Sequence, residues 1–243
     1  MTSTSDTNSI NVRRPLMDIE RVRRLLSEGG DPDKVLITGS FPDPTGKRTP
    51  LMDAAEDGRL DIMNVLLEHG ADIERKDSKG DTALSLVSKA GQTEAMELLL
   101  GAGAATDHAD AAGKTLLMHA VDRGSIGVAQ VLVDAGVDLN AKDEWGNTAL
   151  HHAANTDNSN ITRILLAAGA DHTIVNRESQ TPENIARRPD CYGIHGGGVP
   201  KRPEQLTKGD TLGVLTAHRE QQVLRQSVGL TDEQEPAQRH RKM

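Results

Sequence analysis

Residues 146–157 read Gly146-Asn147-Thr148-Ala149-Leu150-His151-His152-Ala153-Ala154-Asn155-Thr156-Asp157, and the chain returns to this pattern at a fixed interval. Thr49, Thr82, Thr115, Thr148 and Thr181 stand 33 residues apart, and Gly70, Gly103, Gly136 and Gly169 keep the same spacing. A period that strict means one structural unit copied along the chain. Units of this length bury their apolar faces only against their neighbours, so the expected product is a solenoid whose usual output is an exposed binding surface.

Within each unit the threonine is placed to cap a short helix. Leu51, Ala54 and Ala55, or Leu150, Ala153 and Ala154, then share one helical face, and a following glycine permits a left-handed stop. A second helix follows, with buried rows such as Ile62, Val65, Leu66 and Leu67 or Ile161, Ile164, Leu165 and Leu166. The units then pass through Gly70-Ala71-Asp72, Gly136-Val137-Asp138 or Gly169-Ala170-Asp171 into four-residue sets that begin with aspartate and end with glycine, Asp77–Gly80, Asp110–Gly113 and Asp143–Gly146. Those residues at those places are tight-turn chemistry.

Taken together, these units resemble the ankyrin-repeat family, whose consensus of Gly-x-Thr-Pro-Leu-His, Ala-Ala, Gly, Leu-Leu and Gly-Ala-Asp is matched in four units and imperfectly in two flanking half-units, over about residues 16–188. The resemblance implies an all-α ankyrin-repeat solenoid of paired antiparallel helices with hairpin fingers. About four full repeats, over residues 47–178, are flanked by divergent terminal half-repeats, and binding falls on the concave side made by fingers and first helices. It also implies that His151, at the family's histidine position, hydrogen-bonds backbone between repeats.

The ends depart from the period. Residues 16–34 match a second helix and its exit with no first helix before them, which reads as a half-repeat after a disordered segment 1–15. Gly29 to Gly70 is 41 residues, so an inserted loop over 35–47 carries eight extra, with Phe41 able to tuck it in. Thr181-Pro182-Glu183-Asn184-Ile185-Ala186 starts a terminal helix (181–188) that Pro189 stops. A Gly/Pro linker at 189–203 follows, then an amphipathic capping helix at 204–228 whose face is Leu212, Leu215, Val223 and Leu224, and a polar tail at 229–243.

Composition agrees with thin stacked layers: aromatics are 1% of residues. The single cysteine, Cys191, forms no internal disulfide, and the chain start lacks the basic and apolar regions of a secretory signal, so a cytoplasmic setting is expected. No apolar run is long enough to span a bilayer. The net charge of -8 is concentrated in the array, where residues 46–178 hold 12 Lys/Arg against 21 Asp/Glu. That surface repels phosphate backbones and favours basic partners, which excludes duplex nucleic acid as a ligand for it.

Catalytic and metal chemistry find little support. His195-Gly196-Gly197-Gly198 spells an esterase oxyanion loop, but the chain has no Gly-x-Ser-x-Gly elbow and no Gly-x-x-x-x-Gly-Lys-Ser/Thr phosphate loop. Cys191 and His195 have a ligand-like interval, yet one cysteine does not make a structural zinc site. No cofactor, metal site or enzymatic activity is expected.

Trp145 is the sharpest candidate for a contact residue. It holds the third place of Asp143-Glu144-Trp145-Gly146, at a finger tip where neighbouring units have Lys79 and Ala112. Tryptophan concentrates interface energy because it offers a large apolar area with few rotamers. The alternative is a ring laid back on Lys114 or Arg177 as a cation–π contact. The family's concave positions map to Glu56, Asp57, Lys79, Asp81, Lys89, Asp122, Arg123, Glu144, Asn147 and Asn155, with His119 and His152 on the same helical surface; each of these also serves as an ordinary solvating residue. The expected function is non-enzymatic recognition of a protein partner with a basic or mixed-charge surface, as an inhibitor, immunity protein or adaptor, by a chain that is monomeric when unbound. The rival is an effector or enzyme-regulatory protein whose region 189–243 carries a further activity targeted by the array.

Overall fold

The threonine at the head of each unit starts its helix by the mechanism its sequence position suggests. In the computed structural model, which describes residues 19–34, 47–187 and 209–227, Thr49, Thr82, Thr115 and Thr181 sit in extended backbone and accept the amide three residues on from Met52, Ser85, Met118 and Asn184. Each such cap is worth about 1 kcal/mol. Thr148 differs: its amide and hydroxyl both meet Nδ1 of His151, at 3.1 and 2.9 Å.

The chain forms two compact units, Met1–Thr106 and Asp107–Met243. In the first, α1 (Ile19–Ser27) precedes two helix pairs, α2 (Pro50–Glu56) with α3 (Leu60–Glu68) and α4 (Ala83–Ala90) with α5 (Thr93–Gly101). Helix α2 packs on α3 and α4, while α1, α3 and α5 form the second row. Leu51, Met52, Ile62, Met63, Leu66, Leu84, Met96 and Leu99 are fully buried between them. A Leu or Ile removed from water in this way contributes about 1.5–3 kcal/mol.

The second unit repeats the arrangement with α6 (Leu116–Arg123) and α7 (Ile126–Asp134), α8 (Ala149–Asn155) and α9 (Ser159–Ala167), and α10 (Pro182–Ala186) with α11 (Gly209–Ser227). First helices α6, α8 and α10 pack in order, and α7, α9 and α11 form the other row. Helix α11 contacts α9 and α10, as α9 contacts α7 and α8. It is 19 residues long against 9 for α9. At about 1.5 Å per residue it runs well past its neighbour.

That excess length alters the face expected of α11. Leu215 is 1% exposed and Thr211 is buried, but Val223 and Leu224 are 58% and 63% exposed. The sequence periodicity groups all four apolar residues on a packing face; the structure buries only the first two turns, because α9 is too short to meet the last ones.

The same side-chain device links successive hairpins. Glu74 accepts the amide of Ala105 at 2.8 Å, and Asn140, two periods on, accepts that of Asp171 at 2.9 Å. Asp33 accepts the amide of Asp72 at 3.1 Å, although 39 residues separate them. The eight extra residues are thus bypassed, and the exit of α1 keeps the register of a repeat. Segment 1–15, most of the 35–47 insertion with Phe41, the 189–203 linker with Cys191 and His195, and tail 229–243 lie outside the described residues.

Candidate partner-binding surface

Among the described residues, each finger is closed by one side chain. Oδ1 of Asp77 accepts the amides of Lys79 and Asp81 at 2.8 and 2.9 Å, that of Asp110 accepts those of Ala112 and Lys114, both at 2.9 Å, and that of Asp143 accepts those of Trp145 and Asn147 at 3.0 and 2.8 Å. Asn176 does the same for Glu178 and Gln180, at 3.0 Å each. Aspartate and asparagine are suited to this because their short acceptor arms reach amides two and four residues on. In the second unit the turns also bond to each other, Glu144 N to Ala112 O and Arg177 N to Trp145 O, both 2.9 Å.

From finger to first helix the charged residues are paired within their own repeat. Arg48 bonds Asp53 and Glu56, Lys89 reaches Asp81 at 2.6 Å, and Lys114 reaches Asp122 at 2.7 Å. Asp81 is buried and also accepts the hydroxyl of Ser85 at 3.1 Å. It is therefore not presented to a partner as its sequence position suggests, since Lys89 and Ser85 occupy its carboxylate.

The two histidines on the first-helix surface are likewise engaged. Nε2 of His119 lies 3.0 Å from Oδ2 of Asp110. His152, with its side chain 10% exposed, holds Asp122 through Nδ1 at 2.8 Å and Asp143 through Nε2 at 3.0 Å. Burial by itself would lower the pKa of His152, but the hydrogen bonds to Asp122 and Asp143 outweigh it and raise the pKa above the usual histidine value. Burial would raise Asp122, yet the His152 and Lys114 contacts bring its carboxyl down to about 2. The chain Lys114–Asp122–His152–Asp143 thus joins α6, α8 and the Trp145 turn.

His151 does what the family histidine implies. With Nδ1 accepting from Thr148, the proton sits on Nε2, which donates to the carbonyl of Gln180 at 3.0 Å. Burial leads the causes that depress its pKa.

Trp145 stands at its finger tip with 46% of its surface exposed. Its backbone is fixed on both sides, by Asp143 and by Arg177, while Lys114, one candidate cation for its ring, has its ammonium on Asp122. Glu144, Asn155, Arg123, Asp57 and Lys79 are exposed, whereas Asn147 is half-buried and accepts from Asn176 Nδ2 at 2.9 Å. The structure therefore brings Asp122, with Lys114 on it, His152, Asn147 and the Trp145 turn into one hydrogen-bonded group through Asp143. Asp143 stands outside the contact residues expected from sequence, and Lys114 is read there only as a cation for the Trp145 ring; the signals are aspartate recurring at 77, 110 and 143 and charged residues eight apart.

A cleft of about 540 Å³ lies at the end of the second unit, lined among others by His172, Glu183, Arg187 and Arg219. Glu183 is buried and bridges Arg187 at 2.6 Å and Arg219 of α11 at 3.1 Å.

Paired helices in a strict repeat, joined by side-chain-locked fingers, define a helical repeat protein of the recognition type. Comparison with known sequences gives the family. A model of ankyrin repeats in three copies matches residues 74–143, and one of ankyrin repeats in many copies matches 41–87 and 132–186, so that together they cover more than half of the chain. The chain belongs to the ankyrin-repeat family. It is also similar to the 2-5A-dependent ribonuclease of Mus musculus, 40% identical over 65 residues that make up 27% of this chain and 8% of that protein. Ankyrin repeats generally mediate protein–protein interaction and are typically non-enzymatic. Among the described residues, no helix is long and apolar enough to cross a membrane.

Proposed function

We propose that this chain is a protein-recognition module in which Trp145 anchors the partner. The carrying observation is a large apolar ring, 46% exposed, on a backbone held by hydrogen bonds from both sides. A side chain offered to solvent from a rigid turn loses little entropy when a partner covers it. Glu144, Arg123 and Asn155 are the other exposed members of the set in the second unit, and Asp57 and Lys79 those in the first. Asp57 and Glu144 supply the steering charge for a partner of basic or mixed surface. Asp81, Lys89, Lys114, Asp122, His119 and His152 hold the surface in shape. The single cysteine fits a reducing compartment such as the cytoplasm. Nuclease activity is not carried over from the mouse relative, because the likeness spans 8% of it and lies in the repeats.

The test is Trp145→Ala, with thermal melts and titration calorimetry against a partner captured from the source cell. Stability should stay within about 0.5 kcal/mol, as for an exposed residue. Affinity should fall by about 2 kcal/mol or more. A lowered melting point with unchanged affinity of the folded protein would show the ring to be a structural element.

A further inference from the structure

The repeats, aligned on one another, reveal where this chain departs from its own period. At equivalent places Arg48 faces Glu56, Asp81 faces Lys89 and Lys114 faces Asp122. The sign alternates from repeat to repeat, so it is the pairing that recurs and not the charge. The fourth repeat breaks this rule with Asn147 and Asn155. Asn147 stays within the fold through Asn176. Asn155 is exposed, and its carboxamide has no hydrogen bond among the described residues.

Two other departures fall on the same repeat. Trp145 replaces Lys79 and Ala112 at the tip, and Asp157 holds φ +52° where Gly58, Gly91 and Gly124 adopt the left-handed region at +68°, +79° and +73°. Each change makes the repeat less suited to plain stacking: an aromatic is exposed, an ion pair is lost, and a side chain enters a glycine conformation. From Ala149 to Asn155 helix α8 rises about 9 Å, a track that an extended chain crosses in about three residues.

We infer that the fourth repeat seats an extended, uncharged peptide segment of the partner, with an apolar side chain against Trp145 and a main-chain amide bonded by Asn155. This rests on the reading of Trp145 as anchor and specifies what the anchor grips. A carboxamide both donates and accepts, as a peptide group does, so the two satisfy each other. A charged side chain fits poorly. Asp122 and Asp143 are already turned onto His152 at 2.8 and 3.0 Å, and Lys114 onto Asp122, so an incoming charge would lose water without gaining any of these as a counter-ion. Glu144, Asp157 and Arg123 are exposed, and a pair made with any of them in water is worth no more than about 1 kcal/mol.

The probe is a set of peptides selected from a random phage-displayed library on the full chain. The enriched sequences should carry an aliphatic or aromatic residue within an uncharged core. Trp145→Ala should weaken them by about tenfold or more. Asn155→Asp and Asn155→Lys should each weaken them severalfold, both signs acting alike, because either charge must be desolvated against a neutral segment. Affinity should change little with salt. Melting curves of the two Asn155 variants should match the parent, since the position is exposed.

If one sign weakens binding and the other strengthens it, with steep salt dependence, the segment is charged and the inference falls while Trp145 stands. Peptides that need Trp145 and ignore Asn155 overturn it in the same way. Peptides indifferent to both substitutions remove the seat and the anchor together. Failure to enrich any peptide also counts against the inference, because the surface would then require a folded partner.

Discussion

Nε2 of His152 lies 3.0 Å from Oδ2 of Asp143, whose other oxygen holds the amides of Trp145 and Asn147. The protonation of one imidazole on α8 is thereby tied to the turn that carries the exposed tryptophan. Doubly protonated, His152 donates to both Asp122 and Asp143; neutral, it donates to only one and turns a lone pair toward the other carboxylate.

The neighbouring histidines should therefore titrate on opposite sides of the ordinary histidine value of 6.5. His152, with its pKa raised in the fold, adds stability that is complete below 6.5 and is lost as pH climbs through its folded value. His151, with its pKa depressed by burial, leaves stability untouched above 6.5 and erodes it as pH falls toward its folded value. Proton NMR titration of the imidazole carbons reads both directly. In His152→Gln the alkaline loss of stability should disappear and the acid loss remain; an unchanged alkaline slope would show that the clamp contributes nothing.

Asp122 adds a second acid-side dependence. Its carboxyl, at about 2 in the fold, stabilises the protein above the ordinary aspartate value of 3.8 and loses that contribution as pH falls toward about 2. Asp122→Asn should flatten the stability profile in this window, measured by urea unfolding at a series of pH values.

Gly146 has φ +79°, and an added Cβ would lie 3.1 Å from the amide nitrogen of Arg177. Gly136, at φ +76°, has open space there. Gly136→Ala should cost the left-handed strain alone, about 1–2 kcal/mol. Gly146→Ala should cost more, because the backbone of Asn176 and Arg177 must shift away as well, straining the Arg177 to Trp145 bond. Equal unfolding midpoints for the two variants would show that the fingers yield freely.

Ser179 adopts φ +58° in the place of Gly80, Gly113 and Gly146. Ser179→Gly relieves about 1–2 kcal/mol of strain and gives back about 0.4–1 through the freer unfolded chain. A net gain of about 0.5 kcal/mol is expected in chemical denaturation. Asp157→Gly should gain less, since aspartate tolerates this conformation better than serine.

On α11, Leu215→Ala should cost about 2–5 kcal/mol, and Val223→Ala and Leu224→Ala should each stay within about 0.5. Comparable losses at all three positions, read from melting temperatures, would mean that the last turns of the helix are covered in solution.

The repeat, the caps and the class of fold are legible in the amino-acid order, because these are local: a threonine caps the amide three residues on, an aspartate closes a turn, and an apolar row at helical spacing must be covered by the next copy. That order places Trp145 at a tip for the same reason, since position within a four-residue turn is a matter of neighbours in the chain. Only the tertiary structure decided which surface residues are available. Asp81, Asp122 and His152 look like solvent-facing groups when read from the sequence, but Lys89, Lys114 and Asp143 reach them across eight or nine residues of chain, and Asp122 meets His152 across thirty. The exposed end of α11 was hidden for a similar reason: amphipathic spacing states which residues share a face, whereas the length of the helix beside it sets how much of that face is buried.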